Sequence, residues 1–180
     1  MKWRLVAALI ATTLLVILVQ DIPLSYYIQG VQRDRIITGL ERDAFVLAGR
    51  SEEALESPTP ESIAVITEVA KRYQASSGAR VIVVDGKGIA VVTSDPDDSK
   101  IGASYLSRPE IGTALTGEIA SGTRYSQTLQ QELLYVMVPV FSGDRILGTV
   151  RLTYPAQVVD DAVATQLRQL WVVALTTVLL

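Results

Sequence analysis

The sequence predicts an α+β domain: a five-stranded antiparallel sheet flanked by long N- and C-terminal helices and anchored in a membrane at both ends. Three observations predict it. Apolar runs stand at the two ends of the chain, Leu5–Val19 and Leu170–Leu180. Beside each run, apolar residues recur at helical spacing. Between Arg80 and Tyr154 the period changes to two, in β-branched stretches separated by Asp, Gly and Pro turns.

The first run follows Met1-Lys2-Trp3-Arg4 and contains only Thr12 and Thr13 as polar residues. Leu5–Val19 makes about 22 Å of helix, and extension from Trp3 to Leu24 crosses a ~30 Å hydrocarbon core. A cleaved signal peptide shares the charged start, but Leu18-Val19-Gln20-Asp21-Ile22-Pro23 offers no small residues for cleavage. Residues 3–24 therefore read as a transmembrane helix. Lys2 and Arg4 hold its N-terminus on the cytoplasmic side, so the next residues are expected outside the membrane. Residues 170–180 are uncharged and cover roughly half a bilayer core. They read as the start of a second crossing, truncated at Leu180, with Trp171 in the interfacial belt.

Residues 25–57 read as a membrane-proximal helix. Ile37, Leu40, Ala44 and Leu47 form one stripe among Arg33, Asp34, Arg35, Glu41, Arg42 and Asp43. Two heptads are too few to specify a coiled coil. The stripe packs either on its own domain or along a dimer seam. Ser57-Pro58-Thr59-Pro60 breaks this helix and starts the next, with Thr59 as N-cap, Pro60 at the first helical position and Glu61 at the positive dipole end. Ile63, Ile66, Ala70 and Tyr73 give its buried face, and Gly78 is placed to cap it.

The core is expected over residues 58–155. Its strands are Val81–Val84, Ile89–Thr93, Ile119–Thr128, Leu133–Phe141 and Arg145–Tyr154, with a short helix over Pro109–Leu115 before Gly117. Leu133–Phe141 is apolar on both faces, which places it at the sheet centre. In the last strand Ile146, Val150, Leu152 and Tyr154 face one way, and Arg145, Thr149, Arg151 and Thr153 the other. Asp85-Gly86-Lys87-Gly88 and Ser142-Gly143-Asp144 are turns. Pro155 ends the sheet, and Val159, Val163, Leu167 and Leu170 give a closing stripe over residues 156–169.

Composition excludes several functions. The chain has neither cysteine nor histidine, so it builds no disulfide, no thiolate or imidazole metal site and no Ser-His-Asp triad, and holds no phosphoacceptor histidine. An enzyme in these residues would be confined to carboxylate, serine-lysine or tyrosine chemistry. With Lys2 and Arg4 set aside, 14 basic residues stand against 19 acidic ones. No basic stripe suggests nucleic acid. Asp95, Asp97 and Asp98 offer oxygen ligands around a Pro turn, either for a divalent cation or as a solvated loop. Gly86 and Gly88 do not complete a phosphate-binding fingerprint.

Several segments carry a resemblance. One N-terminal crossing, the stalk LERDAFVLAG (Leu40–Gly49) and the sheet start RVIVVDGKGIAVVTSD (Arg80–Asp95) resemble the input half of bacterial sensor histidine kinases. The segments RPEIGTALTGEIASGTRYSQTLQQELLYVMVPV (Arg108–Val140) and GDRILGTVRLTYP (Gly143–Pro155) are similar to the extracytoplasmic PAS-like or Cache sensor domain of phosphate-regulon-type and actinobacterial kinases. The resemblance spans nearly the whole chain. It implies a homodimer in the bacterial inner membrane, with the sensor domain outside and an unknown stimulus. Beyond Leu180 it implies the rest of the second crossing, a HAMP relay, a phosphoacceptor histidine and an ATP- and magnesium-binding kinase acting on a response regulator. These residues themselves require no cofactor and no catalysis.

The pattern is also similar to citrate- and dicarboxylate-sensing kinases. This chain lacks histidine and reads Val91-Val92-Thr93-Ser94 before its Asp-Pro turn, so their site residues are not transferred. In a PAS-like sheet the ligand surface lies between the central strands and the connecting helix. Arg108, Arg124, Tyr125 and Tyr135 are the residues there suited to an anion or flat solute. The alternative is tyrosines packing on the sheet, with arginines solvated or paired with Glu110 and Glu118. A chemoreceptor or cyclic-dinucleotide synthase would share this front half. A membrane-anchored hydrolase and an adhesion domain are the other classes.

Overall fold

The computed structural model describes residues 2–96, 100–126 and 130–157, with side chains chiefly from Gly30 onward. Ile36–Gln157 forms one compact unit, distinct from the one that includes residues 1–35. Among residues whose side chains are described, no helix is long and apolar enough to cross a membrane. The run expected to do so first lies, Trp3 and Thr12 apart, outside them in its side chains. The closing helix beyond Gln157 and the second apolar run also lie outside the described residues, as do Asp97 and Asp98.

Helix α1 runs Lys2–Glu56 and stops ahead of Ser57-Pro58. Within the compact unit, Leu40, Ala44 and Leu47 are buried and Ile37 is half-buried against the same core. Of the two readings of this stripe, packing on its own domain is the one observed. Ala48, Ser51 and Ala54 continue the buried face, and Ser51 donates its hydroxyl to the Leu47 carbonyl at 2.7 Å.

Helix α2 (Pro60–Ser77) begins as its sequence predicts. The Ser62 amide donates to Thr59 Oγ1 at 3.1 Å, and the Thr59 amide donates to Ser62 Oγ at 3.0 Å. This is a capping box in which serine does what Glu or Gln usually does, satisfying two otherwise orphaned donors. Gly78 ends the helix at φ 75°, a left-handed conformation that costs residues with a Cβ, and its amide reaches the Gln74 carbonyl at 2.8 Å.

The sheet contains β1 (Arg80–Asp85), β2 (Ala90–Thr93), β3 (Ala120–Ser126), β4 (Gln131–Ser142) and β5 (Arg145–Pro155), with α3 (Pro109–Leu115) between β2 and β3. Its order is β2-β1-β5-β4-β3, and every pair is antiparallel. The expected five-stranded antiparallel α+β architecture is therefore present. One placement differs. β4 is an interior strand, but the centre belongs to β5, which pairs with β1 along Arg80–Asp85 and with β4 along Leu133–Ser142. The physical reason is pairing: β1 hydrogen-bonds to β5 rather than to β4, although both strands are covered on both faces. Val150 and Leu152 are buried on one face of β5, and Thr149, Arg151 and Thr153 are buried on the other.

Those two faces differ in chemistry. Val81, Val83, Val136, Val138, Val150 and Leu152 share one core with α1 and α2. Ile82, Val84 and Met137 share a smaller core with Tyr105 and with Ile111 and Ala114 of α3. The second face is the one that carries charge.

Candidate ligand-binding site

β5 delivers Arg151 to the middle of the α3-covered face, where its register partners are Ile82 on β1 and Met137 on β4. The two strands between it and the sheet edge add Tyr135 from β4 and Arg124 from β3. Gly122 stands opposite Tyr135 in register, and a Cβ there would lie 2.8 Å from the Tyr135 hydroxyl. Only glycine leaves room for that ring to lie across β3. From the other side, Arg108 precedes α3, and Glu110 sits in its first turn.

Glu110 joins these parts. Its Oε1 accepts from Arg124 Nη1 at 3.2 Å and from Arg151 Nη2 at 3.4 Å. The Glu110 and Arg151 side chains each keep 5% of their surface exposed, whereas Arg124 keeps 45%. The Arg108 guanidinium lies 4.1 Å from the centre of the Tyr105 ring, and that of Arg151 lies 5.8 Å from the centre of Tyr135. Both distances suit cation–π attraction. The cluster thus grades from a buried guanidinium to an exposed one, with aromatic faces between them.

Two guanidiniums, those of Arg124 and Arg151, bond the Glu110 carboxylate, and Arg108 adds a third positive charge near Arg151. Burial, followed by the positive charges of Arg108 and Arg124, pushes the Arg151 guanidinium down from its ordinary value to about 10, with Glu110 acting against that shift. Arg151 stays protonated at neutral pH, in an environment that disfavours its charge. Its Nε is buried and has no hydrogen-bond partner among the described residues; Thr149 Oγ1, on the same face of β5, is in the same condition. An unsatisfied buried donor costs about 1–3 kcal/mol, more when charged.

Of the residues singled out from sequence, the structure brings Arg108, Arg124 and Tyr135 to this face. It does not bring Tyr125, whose neighbour Arg124 points inward while Tyr125 is exposed and donates its hydroxyl to Gln130 Oε1 at 3.2 Å. The pairing of arginine with Glu110 is observed, while Glu118 is exposed. Arg151 and Tyr105 were not among the candidates. The sequence signal for Arg151 is a lone charge within the β-branched stretch GTVRLTY of an interior strand. Of the three aspartates considered for a cation, Asp95 pairs with Arg80 at 3.2 Å.

A concavity of about 370 Å³ lies between α1 and α2, lined by residues that include Asp43, Arg50, Val69, Arg72 and Tyr73. Tyr73 donates to Asp43 Oδ2 at 3.0 Å, and burial together with that carboxylate pushes the phenol up to about 12.

No protein-family model and no curated protein sequence matches the chain. Solved structures do. The sensor domain of the Vibrio cholerae histidine kinase DctB superposes with a TM-score of 0.72 at 16% identity, over 80% of this chain and 58% of that one. The ligand-binding domain of the Campylobacter jejuni chemoreceptor Tlp3, in complex with L-valine, gives 0.61 at 16% identity, over 78% and 60%. The Escherichia coli DcuS sensor domain gives 0.56 at 19% identity, over 73% of this chain and 96% of that one. The chain thus spans about three fifths of the DctB and Tlp3 domains it matches. The fold is that of Cache/PAS-like sensor domains.

Proposed function

We propose that this chain is the signal-sensing and transmembrane-signalling region of a bacterial sensor histidine kinase, and that it receives a small anionic solute at the arginine cluster beneath α3. The observation that carries the reading is Arg151: a guanidinium almost wholly buried at the sheet centre, with a donor unsatisfied and two further arginines nearby. A guanidinium kept in this state is poorly suited to stability alone, because burying an ion costs several kcal/mol that one shared carboxylate repays only in part. It is well suited to forked recognition of a planar anion.

The sensor fold of the DctB and DcuS domains supports the kinase input reading, and the terminal apolar runs support its placement in the inner membrane. On this reading the sensor lies outside and residues 3–24 and 170 onward enter the bilayer. A homodimer then passes helix movement to a kinase part that uses ATP and magnesium and phosphorylates a response regulator. The Tlp3 likeness supports a second reading, in which the same front half belongs to a chemoreceptor. The coding sequence after Leu180 separates the two.

The test uses the full chain in lipid nanodiscs, screened by melting temperature against carboxylates, phosphate, amino acids and uncharged solutes. A ligand at 100 times its Kd stabilises the native state by about 2.7 kcal/mol. Stabilisation by an anion, abolished in Arg151→Met, supports the site; a response to no member of the panel overturns it. The chain has no cysteine. An introduced Lys87→Cys therefore reports topology through an impermeant maleimide, and labelling only from the cytoplasmic side refutes the membrane arrangement.

A further inference from the structure

We infer that Glu110 is a built-in occupant of the anion site, a tethered carboxylate that an incoming carboxylate ligand must displace from Arg151, so that binding is coupled to movement of α3. The inference rests on the proposed ligand site and adds the ligand's chemical class and the means by which its arrival is read.

The geometry of the Glu110 contacts carries it. A carboxylate that matched Arg151 would take two parallel N–H donors at once. Glu110 reaches it through Oε1 alone, at Nη2, and at 3.4 Å the bond is long for a charge-assisted pair. The same oxygen is shared with Arg124 at 3.2 Å. The adjacent Arg151 Nε, buried and without a partner among the described residues, is left over. Glu110 therefore neutralises the cluster without filling its fork. A free carboxylate, unconstrained by a helix backbone, engages Nε and Nη2 together and makes a better pair than the tethered one.

What Glu110 is attached to gives the exchange a consequence. It lies in the first turn of α3, whose Ile111 and Ala114 pack on Ile82, Val84 and Met137. While Glu110 bridges to β3 and β5, the start of α3 is pinned to the sheet by charge as well as by packing. Once a ligand takes Arg151, the like charge of the displaced carboxylate favours its departure towards Arg124, whose side chain is half exposed. The start of α3 loses its buried electrostatic tie and retains its apolar one.

The experiment compares full-length wild type with Glu110→Gln in nanodiscs, using acetate and succinate as probes and ethylammonium as the control cation. Calorimetry reads affinity, and hydrogen exchange reads the α3 amides. Without the competing charge, Glu110→Gln is expected to bind the carboxylates about tenfold more tightly. Wild-type α3 is expected to exchange faster on binding while β5 becomes more protected. Equal affinity in the two proteins overturns the inference. So does weaker binding by Glu110→Gln, which would make Glu110 a direct contact for a cationic or zwitterionic ligand. If Glu110→Gln fails to fold, wild-type exchange decides alone: slower exchange of α3 with ligand overturns the displacement. Absence of carboxylate binding to either protein removes the underlying site reading instead, and is distinguished by that double failure.

Discussion

The odd and even residues of β5 live in different chemistries although they share one backbone. Val150 and Leu152 face α1 and α2 among aliphatic side chains. Thr149, Arg151 and Thr153 are also buried, but their face carries two polar atoms with no hydrogen-bond partner among the described residues and a guanidinium crowded by like charge. The first face resembles a core that evolution optimised for packing. The second carries the cost of buried polar groups left unsatisfied and of a charge in a place that disfavours it. On the proposed reading, stability and recognition are separated by the period-two alternation of a single strand, and substitutions on the two faces should have opposite signatures.

The largest expected effect is on the apolar face. Leu152 is fully buried, and Leu152→Ala leaves a cavity that costs about 2–5 kcal/mol, measured by urea unfolding followed by circular dichroism. Anion affinity of the folded fraction should remain as in wild type. A loss of affinity beyond the unfolded fraction would show that the faces are not independent.

Arg151→Met sharpens the comparison from the other side. Methionine fills similar volume without the cost of burying charge, and Glu110 keeps Arg124 as its partner. Because Arg124 still pairs Glu110, the stability loss is expected to stay below the about 3–5 kcal/mol that stranding a buried charge costs, while anion stabilisation disappears. A fall of that full size would mean that Arg151 is principally structural.

Much of the fold was legible because local signals agreed with the global arrangement. Thr59, Pro60 and Gly78 mark both ends of α2, and the β-branched runs mark the strands. Strand order was less legible. β4 and β5 are both interior, and which takes the centre depends on pairing with β1, a contact across some sixty residues that no local pattern encodes. Arg108, Arg124 and Tyr135, singled out by residue type, are gathered by the fold on one face, where the proposed site lies. Arg151 was hidden by its alternation: a charged residue on the polar side of an amphipathic strand suggests solvent, and only the position of α3 shows that side to be covered.

A smaller effect is expected at the α1–α2 cavity. Tyr73→Phe loses the bond to Asp43 and should cost about 1 kcal/mol at neutral pH. The folded pKa is raised from 10 to about 12, so the neutral phenol's contribution is complete below pH 10 and is lost as pH rises towards 12. The stability difference between wild type and variant should shrink across that window. A constant difference would place the stabilisation in packing instead.

The smallest effect is expected at Tyr125, and it tests the alternation most directly. Tyr125 follows Arg124 on the edge strand β3, so the pleat sends the two side chains to opposite faces. The residue is 53% exposed, and its hydroxyl donates to Gln130, near the turn into β4. Tyr125→Ala removes little buried surface, and its cost should fall within about 0.5 kcal/mol. Composition alone would pair this tyrosine with its arginine neighbour at the ligand. The backbone separates them, so anion affinity should not change by as much as a factor of two. A tenfold loss in titration calorimetry would mean that the ring reaches the ligand around the open edge of β3, and the boundary between the two faces would then have to be drawn at the sheet edge rather than along each strand.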